Sequence, residues 1–204
     1  MEDAVILPAI VFLAAAVVPI FFGKVGSSPR WLTIQAAALA WSVWTEGEPS
    51  AHSAMTLLEV LVLRALIAPQ VLGRVIRKRA EPNLDLMPSN LFVWAIGLSL
   101  VVLAFEYAAP VVSDRQALTT GVVGAAVAVS LLLLSTNDSP PAQLAAVLFM
   151  ENSLALFESL RPEPWPVPVH VALSAVYLLT VLVGGWLIAT PDAIPSPRPA
   201  GEHP

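Results

Sequence analysis

Residues 147–160 read VLFMENSLALFESL, an apolar stretch that carries Glu151, Asn152 and Glu158. Glu151 and Glu158 are seven residues apart, which is about two turns of an α-helix, so a helix places both carboxylates on one face. The enclosing apolar segment, 141–160, is about the length that crosses the hydrocarbon core of a bilayer, and Glu151 is near its middle. The stretch therefore predicts a membrane-spanning helix with a carboxylate close to mid-membrane.

The whole chain has the composition of an integral membrane protein. Of its 204 residues, 57% are hydrophobic and 12% are charged, and its mean hydropathy is +0.77. Soluble domains carry about 25% charged residues, roughly twice this share. The absence of cysteine excludes disulfides, cysteine-ligated zinc and iron–sulfur clusters in this chain. The three histidines show no metal-site spacing, and no basic stripe indicates nucleic-acid binding.

Apolar blocks of about 20 residues, the length of a membrane span, recur along the chain. They predict an all-α integral membrane protein with one polytopic domain, 1–190, and a proline-rich, disordered cytoplasmic tail, 191–204. The first block follows the acidic MED rather than a basic region, so we expect a retained helix and not a signal peptide. The second is short and carries Gln35. The seven segments are Ala4–Gly23, Trp31–Thr45, Met55–Ile76, Asn90–Val111, Leu118–Ser135, Pro141–Leu160 and Val167–Thr190.

Basic residues predict the orientation of these spans, because cytoplasmic loops carry the excess of lysine and arginine. If the N-terminus is outside, seven basic residues fall on the cytoplasmic side and two fall outside. We therefore expect an outside N-terminus, a cytoplasmic C-terminus and an odd number of spans. The cytoplasmic residues are Lys24, Arg30, Arg74, Arg77, Lys78, Arg79 and Arg198, and the outside residues are Arg115 and Arg161.

Arg64 lies in the middle of the third segment, where a charge costs about 3 kcal/mol on insertion scales. Because arginine stays charged, it needs a partner, and we favour Glu151 across a helix interface. The alternative is that its head snorkels to one surface. Glu59 is five residues away, about 140° round a regular helix, so we expect no simple pairing with it. Pro69 removes a hydrogen bond to the carbonyl of Ala65, which predicts a kink and a free acceptor beside Arg64.

Further polar residues complete a candidate proton path. Glu158 is expected near the outer surface, where it can instead form an interfacial ion pair with Arg161 at i+3. Glu106 and His170 are near the outer ends of the fourth and seventh segments, and each can instead be an ordinary interfacial residue. Water between such groups would make a relay across the membrane. The full candidate set is Glu151, Arg64, Glu158, His170, Glu106, Glu59 and Asn152.

These features resemble a known family. VLFMENSLALFESL, preceded by a helix that bears an arginine and ends in LIAPQVLGRVIRKR, is similar to the E component of hydrogenase-4-type complexes (HyfE-like). Through its later helices that family resembles NuoK of respiratory complex I and MrpC of multisubunit cation/proton antiporters. The resemblance covers residues 55–189. It implies a non-catalytic membrane-arm subunit of an energy-converting complex, multi-pass in a bacterial or archaeal cell membrane.

The resemblance gives Glu151 the position of the essential membrane glutamate of the NuoK group. The family's basic residue in the kinked helix is usually lysine, which can pass on a proton, whereas Arg64 is a fixed charge. The last helix often has acidic residues in the family where this chain has His170 and Val176. The chain is therefore expected to contribute Glu151, with Arg64 as its electrostatic partner, to a path lined by other subunits.

The resemblance also implies where the remaining chemistry lies. NiFe or iron–sulfur centres are expected in partner subunits, and the partners are other membrane-arm subunits and the lipid bilayer. We expect no catalytic chemistry in this chain. Two alternatives stay open: a cation/proton antiporter subunit that works without electron transfer, and a structural assembly subunit in which Glu151 is a protonated, hydrogen-bonded acid.

Overall fold

A computed structural model describes residues 3–46, 51–79, 82–109, 114–159 and 165–190, and these residues form seven helices. These ranges contain no β-strand, so the all-α prediction is confirmed. The predicted tail, 191–204, lies outside the described residues. The helices are α1 (Asp3–Phe22), α2 (Ser28–Glu46), α3 (51–79), α4 (Leu91–Ala108), α5 (Asp114–Thr136), α6 (Pro140–Ser159) and α7 (Val167–Ala189).

Four of the helices, α3, α4, α5 and α7, are long and apolar enough to cross a membrane. The apolar part of α1 that the structure describes, Ile6–Phe22, is shorter. Large apolar side chains face outward, such as Leu98 (64% exposed) and Leu103 (61% exposed) on α4. Soluble proteins rarely expose so much contiguous apolar surface. By length and composition, these helices indicate a membrane protein.

Helices α2 and α6 form the centre of the bundle. Helix α2 packs against α1, α3 and α6, and helix α6 packs against α2, α3, α5 and α7. Their polar residues include Gln35 on α2 and Asn152 on α6, and both are fully buried. Because protein neighbours surround them, these two helices tolerate polar groups in their middle. Helices α4 and α7 lie at the outside and are mostly exposed.

Helices α3 and α7 each contain a π-helical segment, Val60–Ile67 and Thr180–Gly184. Such segments are rare and occur frequently at functional sites. The two helices approach closely at Gly185, where a Cβ atom would lie 2.6 Å from Val71 Cγ1. Arg64 lies in the first segment and Thr180 in the second, so irregular backbone and polar side chains occur together.

Hydrogen bonds join the turns at one end of the bundle. Val25 N donates to Leu84 O at 2.8 Å, and Leu86 N donates to Gly23 O at 3.1 Å. Asn137 Nδ2 adds a bond to Leu86 O at 2.7 Å. These bonds connect the α1–α2 turn, the α3–α4 loop and the α5–α6 turn. We call this the basic end, because it carries Lys24, Arg30, Arg74, Arg77, Lys78 and Arg79.

Candidate functional site

Arg64 lies in the π-helical segment of α3 and is 5% exposed. Its Nε donates to Glu59 Oε1 at 3.0 Å, and its Nη1 donates to Asn152 Oδ1 and to the backbone oxygen of Glu151, both at 3.2 Å. The guanidinium carbon is 4.1 Å from the centroid of the Tyr177 ring, a cation–π contact. The arginine head is therefore held inside the bundle by groups from three helices.

The expectation that Glu59 and Arg64 do not pair is wrong. Five residues subtend about 140° in a regular α-helix. Residues 60–67 are π-helical, however, and there the hydrogen bonds run from residue i to residue i+5. This register brings Glu59 and Arg64 to the same side of α3, where their side chains form a buried ion pair of 3.0 Å.

The acceptor expected beside Pro69 is present and has a partner. Thr33 Oγ1 on α2 lies 3.4 Å from the carbonyl oxygen of Ala65 and 3.1 Å from that of Pro29 in its own helix, so its one proton can be donated to either. Pro69 itself has no N–H to donate within α3. Thr33 therefore lies at the contact between α2 and α3, one residue along from Arg64.

Asn152 connects Arg64 to helix α2. Its Nδ2 donates to Gln35 Oε1 at 3.0 Å, while Gln35 Nε2 donates to the backbone oxygen of Phe149 at 3.5 Å. A guanidinium and two amides thus form one hydrogen-bonded chain across α3, α6 and α2. Sequence reasoning treated Gln35 only as a weakness of its apolar segment. A lone amide in an apolar helix could have indicated that Gln35 hydrogen-bonds to a polar group of a neighbouring helix.

The carboxylate of Glu151 lies at the edge of this network and is half-buried. Thr180, the first residue of the π-helical segment of α7, has its Oγ1 3.2 Å from Glu151 Oε1 and 3.0 Å from the backbone oxygen of Val176. Arg64 contacts residue 151 through the backbone oxygen and not through a carboxylate oxygen. We call the whole group the Arg64 cluster: Gln35, Glu59, Arg64, Glu151, Asn152, Tyr177 and Thr180.

Both protonation states of Glu151 fit this geometry. A hydroxyl has one proton and can also accept a hydrogen bond. When Glu151 is charged, Thr180 can donate to the carboxylate. When Glu151 is protonated, the carboxyl can donate to Thr180 Oγ1, which then donates to Val176 O. Rotation of the Thr180 hydroxyl therefore keeps a hydrogen bond to Glu151 in either protonation state.

Glu158 and His170 form a second group towards the other end of the bundle. His170 Nδ1 is 2.9 Å from Glu158 Oε1, and the rings of His170 and His52 are 5.4 Å apart between centroids. His170 is 3% exposed, and its Nε2 has no hydrogen-bond partner within the described ranges. The expected partner of Glu158, Arg161, lies outside them. We call His52, Glu158 and His170 the His170 cluster.

The two clusters are separated along the helix axes. Glu151 and Glu158 are about 10 Å apart along α6, and His170 and Thr180 are about 15 Å apart along α7, from a rise of about 1.5 Å per residue. A proton that passed between them would need water or side chains of a neighbouring subunit. Glu106 is exposed on α4, which packs against α5, so the structure does not bring it to either cluster.

Polar residues on α7 follow one helical face. His170, Ser174, Tyr177 and Thr180 are spaced by four, three and three residues, the spacing of side chains that share a face. Sequence reasoning considered only His170 from this set. The spacing of polar residues in an otherwise apolar helix would have identified Tyr177 and Thr180 as well. His52 gives no comparable signal, because its contact depends on how α3 and α7 meet.

The chain is similar to the uncharacterized protein Rv0085 of Mycobacterium tuberculosis. The two sequences are 32% identical over 168 residues, which cover 78% of this chain and 75% of the mycobacterial protein. This chain belongs to the family of Rv0085. No model of a known protein family matches it, and no solved structure matches it. Since the name of Rv0085 states no activity, the function must be inferred from the chain itself.

Proposed function

We propose that this chain is a non-catalytic membrane-arm subunit of a hydrogenase-4-like, complex I-related energy-converting complex. Its part is to contribute Glu151 to a proton path and to help assemble the arm. The resemblance of residues 55–189 to HyfE-like subunits supports the proposal. The observation that carries it is the half-buried carboxylate of Glu151 beside the buried Arg64–Glu59 ion pair. Ionisable groups inside membrane helices are costly and usually functional.

The residues of the Arg64 cluster have distinct proposed roles. Arg64 is a fixed positive charge, neutralised by Glu59, and cannot itself pass on a proton. Glu151 is the group that takes up and releases the proton. Thr180 is a positioning residue that can hydrogen-bond either form of Glu151, at 3.2 Å from Oε1. Asn152 holds the Arg64 guanidinium in place through a hydrogen bond, and Gln35 in turn holds Asn152.

The proposed setting is a bacterial or archaeal cell membrane, with seven spans, an outside N-terminus and a cytoplasmic basic end. Other membrane-arm subunits would cover the mostly exposed helices α4 and α7. Redox centres of the NiFe or iron–sulfur type would belong to partner subunits, because this chain has no cysteine to hold a cluster. The proton path would continue through side chains of those partners.

Isolation of the native complex tests this proposal. The chain, tagged at its C-terminus and expressed at its native level, is purified in mild detergent, and the co-purified chains are identified by mass spectrometry. We expect antiporter-like and complex I-like membrane subunits together with cysteine-bearing hydrogenase-like subunits. Antiporter subunits alone would replace the proposal with the antiporter alternative. A chain that purifies without such partners would contradict both.

One observation favours the structural alternative. Arg64 is hydrogen-bonded to Glu59, Asn152 and the backbone of residue 151, as expected of a group that only joins helices. Under that alternative Glu151 is a permanently protonated acid bonded to Thr180. Loss of proton movement without loss of assembly in E151Q would separate the two possibilities in favour of proton exchange.

A further inference from the structure

An open groove of about 640 Å³ lies between α2 and α3 at the basic end. Arg30 from α2 and Arg74 and Arg77 from α3 line it, and all three are exposed. Gln70 adds a polar side chain, and the described lining contains no acidic residue. The groove therefore presents three cationic side chains, supplied by two helices, to an anion.

The lining changes from polar to apolar along α3. Beyond the arginines α3 contributes Pro69, Leu66 and Ala65 to the wall, and Leu66 is 55% exposed, while Thr33 of α2 adds one hydroxyl near Ala65. Ala65 and Arg77 are about 18 Å apart along the helix, from a rise of about 1.5 Å per residue. An amphipathic molecule would fit this lining, with its polar head at the arginines and its apolar chain along Leu66.

We propose that the groove binds an anionic phospholipid, with its phosphate at Arg30, Arg74 and Arg77 and an acyl chain along Leu66. Guanidinium groups bind phosphate oxygens through paired, charge-assisted hydrogen bonds. Basic pockets between membrane helices on the cytoplasmic side are suited to anionic headgroups. A free phosphate would meet the same arginines but would leave the apolar wall uncovered. This site is independent of the proton path.

Lipid binding to the full-length chain tests the proposal. The purified chain is mixed with detergent micelles that contain phosphatidylglycerol or phosphatidylcholine, and bound lipid and the thermal midpoint are measured. We expect a one-to-one phosphatidylglycerol adduct and a higher midpoint than with phosphatidylcholine. R30Q/R74Q should weaken phosphatidylglycerol binding about 10- to 30-fold. R30K/R74K keeps both charges and should bind with intermediate affinity, which also verifies that the groove still folds.

A matched control separates this groove from the general positive charge of the basic end. K24Q/K78Q removes the same charge from exposed side chains that do not line the groove, and we expect it to bind phosphatidylglycerol like the wild type. An equal loss in both double variants would overturn the proposal, as would equal binding of phosphatidylcholine. A midpoint raised equally by inorganic phosphate alone would show a free-anion site and would overturn the lipid assignment.

Discussion

At the scale of single residues, the contacts at position 64 suit an arginine better than a lysine. The side chain reaches Glu59, Asn152 and the backbone of Glu151 at once and stacks on Tyr177. A guanidinium has five donors in a planar fork, whereas an ammonium is a compact point charge. Arginine therefore holds three helices together at this position, but it cannot pass on a proton.

Replacement of Arg64 tests that role. R64A leaves the Glu59 carboxylate without its partner inside the bundle, and loss of one member of a buried ion pair costs about 3–5 kcal/mol. We expect a lower thermal midpoint of the purified chain and less chain in the membrane. The midpoint of R64K should lie between those of R64A and the wild type, because lysine keeps the charge but lacks the planar set of guanidinium donors. K78A, an exposed cation of the same helix, is the control. A wild-type midpoint for R64A would show that the pair contributes nothing.

Thr180 provides a second test at this scale. T180V keeps the shape of the side chain but removes the hydroxyl that lies 3.2 Å from Glu151 Oε1. We expect normal assembly and slower proton movement in sealed vesicles, with T180S close to the wild type because serine restores the hydroxyl. Slow proton movement in T180S as well would point to packing and not to hydrogen bonding of Glu151.

At the scale of elements, the apolar segments predicted the positions of the seven helices in the described residues, and four of these helices are long and apolar enough to cross a membrane. Such helices are predictable because their period and length can be read from consecutive residues. Side-chain partners were harder to predict. The ion pair between Glu59 and Arg64 depends on a π-helical register, and a calculation with 3.6 residues per turn places the two apart. The contacts of Gln35 with Asn152 depend on how two helices distant in sequence rotate towards each other.

The close approach of α7 to α3 yields a prediction about Gly185. In G185A the new Cβ would lie 2.6 Å from Val71 Cγ1, whereas in G124A it would lie 3.4 Å from Ala104 Cβ, an ordinary contact. Both changes replace glycine by alanine in a helix and so gain the same helix propensity. The difference between their free energies of unfolding therefore measures the clash with Val71. We expect G185A to be less stable than G124A by about 1–3 kcal/mol. Equal thermal midpoints in detergent would show that α7 shifts without cost.

At the scale of the whole molecule, the polar groups form a cluster at the bundle interior and a second one nearer the end opposite the basic residues. We expect the basic end in the cytoplasm, since seven basic residues against two favour that side. This orientation was predicted by counting basic residues in the sequence. The structure shows that hydrogen bonds join the turns at the basic end to one another. Neither cluster spans the molecule alone, so the proposed proton path needs water or neighbouring subunits to be complete.

Cysteine labelling tests the orientation, and the chain has no natural cysteine to give background. Position 80 directly follows the last residue of α3, and position 113 directly precedes the first residue of α5; the variants are A80C and S113C. We expect a membrane-impermeant maleimide to label S113C in intact cells and to label A80C only after permeabilisation. Labelling of A80C in intact cells would reverse the orientation.

The central claim is that Glu151 exchanges protons, and its most direct test is proton movement by an E151Q complex in sealed vesicles. Glutamine keeps the shape and most hydrogen bonds but cannot exchange a proton. E106Q, on the exposed face of α4, is the matched control, and E158Q should have a milder effect than E151Q. We predict that E151Q assembles, retains any electron transfer by the partner subunits and loses proton translocation, while E106Q behaves as the wild type. A proton gradient built by E151Q at the wild-type rate would contradict the account and leave Glu151 a structural acid.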